Sequence, residues 1–314
     1  MTTSNQQIEM KGVNLFQWRS FKKNFLKLLV SNDPDIANFS LIMRFFMFMY
    51  LRMTAENYFC YYNGKRAGLL SLRTKKGTDA FIFGVAVLPE FRKKGLGKYI
   101  MDFSEKRAKE TKKKFVALAV LNSNEPAVNL YKKLDYKFVG LGVTPISISL
   151  DKITKSKSNS IKLETILVYT DEIKNLFSDT VLSQIKAVSQ NDGVEYVGEN
   201  RIDDYHKNIS KNISKSKYRF FQVLDNNEQI GFLFCRNKGT TKSCSVYLHS
   251  KTILTNELLS YLAEKLEDLI EDNENFEKLV FRIYCHQAAK LIDLQDSDFV
   301  RDSTLDKNLM YKKI

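Results

Sequence analysis

Between Val85 and Gly97 the chain reads Val-Ala-Val-Leu-Pro-Glu-Phe-Arg-Lys-Lys-Gly-Leu-Gly, and it runs straight on into Lys98-Tyr99-Ile100-Met101. An apolar strand ends at Pro89 and a loop with two glycines and three cations follows. Ile100, Phe103 and Arg107-Ala108 then recur at helical spacing. Strand, glycine loop and helix mouth in this order suit a phosphate cradle. Glycine allows a sharp turn and close backbone approach, and the N–H groups at the helix start, with its dipole, favour an anion such as a pyrophosphate. Arg92, Lys93, Lys94 and Lys98 add full charge at the same place. A P-loop would need Gly-x-x-x-x-Gly-Lys-Ser/Thr, and a dinucleotide fingerprint three glycines with an acid about 20 residues on. Neither pattern is present.

The segment Arg92-Lys93-Lys94-Gly95-Leu96-Gly97 resembles the Arg/Gln-x-x-Gly-x-Gly/Ala signature of the GCN5-related N-acetyltransferase (GNAT) superfamily. A second block lies at the expected distance. Phe115–Leu121 reads as a buried strand, and Asn124-x-x-Ala127-x-x-Leu130-Tyr131 follows on a helix. This is similar to the Asn-x-x-Ala-x-x-Leu-Tyr-x-x-x-Gly-Phe element found among ribosomal-protein alanine acetyltransferases. The chain departs from it at Asp135-Tyr136, where Gly-Phe is usual. That change is expected to alter the end of the helix and leave cofactor binding alone.

The resemblance implies a mixed α/β (α+β) acyl-CoA N-acyltransferase fold, with acetyl-CoA as cofactor and an amine as acceptor. Backbone groups of Val85, Ala86 and Val87 would bind the acetyl and pantetheine parts where two parallel strands splay. Main-chain N–H groups from Arg92 through Lys93, Lys94, Gly95, Leu96, Gly97 and Lys98 would hold the pyrophosphate. Tyr131 matches the tyrosine that protonates the departing sulfur, and filling space behind Leu130 is the alternative. Asn124 would contact the cofactor or cap its helix. The family's base positions fall on Ala119 and Phe81, both apolar; Asp79 is a substitute acting through water, a plain loop acid after Gly77-Thr78 is the stronger reading of it, and loss of the amine proton to solvent is the alternative.

The pattern of elements restarts after a Lys/Ser-rich stretch. Ile8–Val13, helices Leu15–Val30 and Phe39–Met53, and a hairpin at Asn63-Gly64 precede strand Ala80–Val87 and helix Gly95–Thr111. Strand Phe115–Leu121, helix Glu125–Lys133 and two short strands near 137–141 and 144–150 complete the first half. Ile161–Val168, Asp171–Ser189, a hairpin at Asp225-Asn226-Asn227, Ser245–Leu248, Asn256–Asp272, Leu279–Cys285 and a helix from His286 repeat the order. The expectation is a tandem arrangement: residues 1–150, a linker at 151–160, and a degenerate copy at 161–314. The second copy carries His249-Ser250-Lys251-Thr252-Ile253-Leu254-Thr255 where the cradle should be, without a glycine. His206, His249 and His286 all lie in that half and read as structural or exposed.

Charge follows the same division. Residues 1–150 hold 25 Lys plus Arg against 11 Asp plus Glu, a balance of +14, while residues 151–314 hold 24 against 25. The excess can serve coenzyme A phosphates. Contact with nucleic acid or a ribosome is the weaker reading, since no binding module is recognisable. Four cysteines at no metal spacing, and a polar N-terminus without a signal-peptide core, point to reduced thiols, no metal and a cytoplasmic setting. The apolar run 39–51 is too short to span a bilayer and contains Arg44. It reads as a buried helix, with a membrane-surface role as the alternative, and no membrane partner is expected. The leading reading is an acetyl-CoA-dependent N-acetyltransferase acting on a primary amine. A non-catalytic acyl-CoA-binding regulatory module is the rival.

Overall fold

Asn63 and Gly64 both take positive φ, 47° and 75°, and so close the two-residue turn that joins β2 (Glu56–Tyr62) to β3 (Lys65–Arg73). The computed structural model describes residues 7–29, 41–75, 77–154, 158, 160–187, 191–214, 218–236, 243–267, 278–285, 298–301 and 306–314. These form two compact units, Met1–Lys137 with Met310–Ile314, and Phe138–Leu309.

In the first unit β1 (Ile8–Gly12), β2, β3, β4 (Asp79–Val87) and β5 (Phe115–Leu121) lie side by side in that order. All neighbours are antiparallel except β4 and β5, which run parallel. A parallel pair needs a crossover, supplied here by α3 (Leu96–Glu110). Its buried Leu96, Ile100, Met101, Ser104 and Ala108 follow one another at steps of four, one, three and four residues, so one stripe faces the sheet. Phe21 and Phe25 of α1 (Trp18–Leu29) and Phe48 and Leu51 of α2 (Leu41–Thr54) pack with Phe59 and Leu69 of the sheet. Only Phe48 and Leu51 of α2 are buried, so the expectation of a buried helix fails for most of its length. Arg107 ties α3 to the start of β2 through its Nε at 2.6 Å from Glu56. Burial raises the Glu56 pKa, but hydrogen bonds from Arg107, Thr74 and Tyr58 outweigh it and hold the carboxyl below its ordinary value.

The second unit repeats the plan. The sheet order is β6 (Lys137–Ser149), β11 (Lys278–Cys285), β10 (Ser243–Leu248), β9 (Glu228–Arg236), β8 (Tyr218–Asp225) and β7 (Ile161–Thr165). Again a parallel pair, β10 with β11, is bridged by a helix, α8 (Asn256–Glu267). Between β7 and β8 stand α5 (Asp171–Lys186), α6 (Asn191–Val197) and α7 (Asp203–Ser214). The last two were not expected from the sequence. Phe177 of α5 sits among the rings of Phe220, Phe232, Phe234 and Tyr247.

Two expectations change. Residues 137–149 form a single strand: Gly142 through Ser149 pair with β11 in unbroken register, and no described glycine there has the positive φ that a turn would use. Because β6 runs on as one strand, residues 138–150 lie in the second unit. The chain's end lies in the first, where Ile314 N–H donates to Lys114 O at 3.0 Å and Tyr311 meets the Phe115 ring. The division between units thus falls elsewhere than the stretch at 151–160, of which 155–157 and 159 lie outside the described residues. The expected helix from His286 also lies outside them.

Candidate active site

Strands β4 and β5 pair from Asp79 with Phe115 as far as Ile82 with Leu118, and there the pairing ends. At that point β4 carries a bulge. Ser71 faces Gly84 and Leu72 faces Ile82, leaving Phe83 without a partner on β3. The ends Val85–Val87 and Leu121 border a cavity of about 700 Å³. This is within the usual range for a small-molecule site.

The cavity's second wall is the start of α3. Gly95 occupies the cap position with φ 78°, and no side chain caps the helix. The first N–H groups of a helix have no partner inside it, so those of Leu96, Gly97 and Lys98 remain for a ligand. Gly97 is small for a reason: a Cβ there would sit 3.0 Å from Leu130 Cδ2. Lys93 takes φ 61°, a left-handed conformation unusual for a lysine. Arg92 lines the cavity and its Nε donates to Val87 O at 3.2 Å, tying the loop back to the end of β4.

The third wall is α4 (Glu125–Lys133), which presents Asn124, Ala127, Leu130 and Tyr131 on one face. Asn124 is the helix cap, its side chain accepting from Ala127 N at 3.4 Å, and it also lines the cavity. Tyr131 is buried, and desolvation pushes its phenol up to about 12. The helix ends as a glycine-terminated helix does, against expectation. Asp135 itself adopts φ 63°, Tyr136 N–H donates to Tyr131 O and Asp135 N–H to Lys132 O, the paired bonds of a Schellman ending.

Of the residues singled out in the sequence, Val85, Ala86, Val87, Arg92, Lys93, Gly95, Leu96, Gly97, Asn124 and Tyr131 surround this one cavity. Lys94 and Lys98 are not part of its wall. The Lys94 ammonium lies 5.3 Å from the ring centres of both Tyr62 and Phe91. Lys98 is exposed on the helix. Phe91, Leu121, Ser123 and Pro126 also line the cavity, and no sequence pattern marks them as site residues. Among the described residues that line it there is no carboxylate and no histidine. Asp79 is buried and ion-paired with Arg73 at 2.9 Å. It stands six strand residues from Val85, roughly 20 Å along the strand, too far to serve this cavity.

The second unit differs at two corresponding points. Parallel pairing of β10 with β11 continues to Tyr247 with Tyr284, whose rings stack at 4.4 Å. The start of α8 is capped by Thr255, whose Oγ1 accepts from Leu258 N at 3.1 Å. Among the described residues this pairing runs to within one residue of the strand ends without the splay of the first unit, and the helix start carries a side-chain cap that α3 lacks. His206 is held by Tyr169 at 2.7 Å and Ser178 at 2.9 Å, and burial lowers its pKa. His249 accepts from Lys251 N.

An open splay against an uncapped glycine-bearing helix defines an acyl-CoA N-acyltransferase fold. Residues 21–136 match the model of the acetyltransferase (GNAT) family. An N-alpha-acetyltransferase from Sulfurisphaera tokodaii is 42% identical over 66 residues, which are 21% of this chain and 38% of that protein. The chain therefore spans well under half the length of that curated relative. Among solved structures, a GCN5-related N-acetyltransferase from Sphaerobacter thermophilus aligns with a TM-score of 0.57 at 12% identity, covering 98% of this chain and 95% of that one. The glucosamine N-acetyltransferase region of a fungal multi-domain β-N-acetylglucosaminidase aligns at 0.58 and 8% identity, covering 99% and 38%. At such identities these two show the fold, along the whole chain.

Proposed function

We propose that the first unit is an acetyl-CoA-dependent N-acetyltransferase acting on a primary amine. One observation carries the reading: a single cavity joins the splayed end of β4, the uncapped start of α3 and the phenol of Tyr131. The residues present suit the cofactor. The free N–H groups at Leu96–Lys98 with Arg92 and Lys93 match a pyrophosphate, and the edge Val85–Val87 offers backbone groups to an amide-bearing arm. Acetyl-CoA supplies an acyl group already activated as a thioester. The chain's part is to orient it, to exclude water with Leu121 and Leu130, and to hold a proton at Tyr131 Oη where negative charge develops on the leaving group. With no acid or histidine among the described residues of the wall, the amine loses its proton to solvent.

A second reading, a non-catalytic acyl-CoA-binding regulatory module, is favoured by the apolar Phe81 and Ala119 at the family's base positions. Incubation of the purified protein with acetyl-CoA and a panel of amines, polyamines and peptides separates the two. Thiol release that depends on an amine supports transfer. Saturable coenzyme A binding without amine-dependent release supports the second reading.

A further inference from the structure

The outer face of α2 lies exposed among the described residues, although the helix reads Leu-Ile-Met-Arg-Phe-Phe-Met-Phe-Met-Tyr-Leu-Arg-Met-Thr. A helix apolar on every side is normally enclosed. Here only Phe48 and Leu51 are buried, while Ile42 is 70%, Phe46 65% and Met53 68% exposed. Phe16, just before α1, is 93% exposed. Leu15, Trp18 and Arg52 border one surface recess, which brings the start of α1 beside the end of α2. Isolated apolar side chains on a surface are ordinary, but a whole helix face of them marks a contact.

Charge identifies the occupant. Helices α1 and α2 carry Arg19, Lys22, Lys23, Lys27, Arg44 and Arg52 and no acidic residue. A second copy of this face would bring cation against cation. We propose that α2, with Leu15 and Phe16, docks on the surface of an anionic lipid bilayer. There the apolar side chains enter the boundary of the acyl chains and the cations meet lipid phosphates. This is a surface contact only. No helix among the described residues is long and apolar enough to cross a membrane. The same helix touches the first unit's site region, since Tyr50 lies 5.9 Å from Phe83, the bulge residue of β4.

The test uses the full chain with vesicles of phosphatidylcholine alone and of phosphatidylcholine with an equal part of phosphatidylglycerol. The chain should sediment with the mixed vesicles and bind neutral ones about 10-fold or more weakly, with affinity falling as salt rises. The double variant Ile42→Ser with Phe46→Ser, checked for folding by circular dichroism, should lose a similar factor on mixed vesicles. A readout free of any variant comes from Trp18, the sole tryptophan. Its fluorescence should be quenched by brominated lipid in mixed vesicles. Absence of binding to mixed vesicles overturns the proposal. So does unchanged binding of the double variant, which would leave basic charge as the whole attraction. Concentration-dependent dimerisation abolished by the double variant would make a second copy the occupant instead. None of these outcomes depends on acetyl transfer.

Discussion

The carbonyl oxygen of Ala86 lies 2.5 Å from the point where a Cβ on Gly68 would stand. Tyr247 O stands at the same 2.5 Å from the Cβ position of Gly231. In both units the glycine follows a bulge, at Ala67 and at Ile230. The bulged carbonyl then accepts an N–H from the residue just past the next strand, Leu88 or His249, at 2.8 Å. One backbone device is thus built twice from sequences that share little else, which is what an internal duplication leaves behind.

Gly68→Ala should therefore push β4 away at Ala86, a residue of the cavity wall. We expect a loss of about 2 kcal/mol in urea unfolding, the scale of forced overpacking, together with weaker coenzyme A binding. Gly231→Ala should cost a similar amount of stability and leave that binding unchanged. Equal loss of affinity in both variants would contradict the assignment of the cavity to the first unit.

A side chain at Gly97 meets Leu130 and also covers the free N–H groups of α3. Gly97→Glu adds repulsion toward a phosphate and should abolish coenzyme A binding in calorimetry. In the second unit Thr255→Ala removes a helix cap. It should cost about 1 kcal/mol and leave the affinity as it was. Wild-type affinity in Gly97→Glu would remove the cradle from this loop.

Much of the first unit is legible from the amino-acid sequence alone. The cradle shows because glycine, charge and helical period coincide within a few residues, and β5 and α4 fall at Phe115–Leu121 and Glu125–Lys133 as the apolar spacing predicts. The path of β6 is not legible. Gly140 and Gly142 suggest a turn, and only pairing with β11, some 135 residues further on, shows that the strand continues. Lys94 and Lys98 sit within the motif, yet nothing in one-dimensional spacing says which cations face the ligand. The difference in the second unit is half visible. The missing glycines can be read, but the stacking of Tyr247 on Tyr284 depends on a register that no local pattern fixes.

Asp135 holds a left-handed turn that glycine adopts without strain. For a residue with a Cβ this conformation carries a penalty of about 1 kcal/mol, less for aspartate than for most, while glycine adds entropy to the unfolded chain. Asp135→Gly should raise stability by roughly 0.5 kcal/mol and keep coenzyme A affinity constant. A clear destabilisation would mean that the Asp135 side chain makes a contact worth more than its strain.

Tyr131 is expected to serve turnover more than binding. Tyr131→Phe keeps the ring's packing and deletes the proton at Oη, so transfer should slow about 10²-fold while coenzyme A affinity changes little. Burial sets the sign of the pH effect. The phenol must be protonated to act as donor, and its pKa is pushed up to about 12. The donor is therefore present below that value and is lost only as pH rises through it. An ordinary tyrosine would already be half ionised near pH 10. A phenol held so high favours donating a hydrogen bond to developing charge over early release of its proton. Wild-type turnover should accordingly show no fall centred near pH 10 in the range where the fold survives, and the rate deficit of Tyr131→Phe should stay constant across it. Equal turnover in the two proteins would reduce Tyr131 to a packing residue, and solvent would then protonate the leaving group.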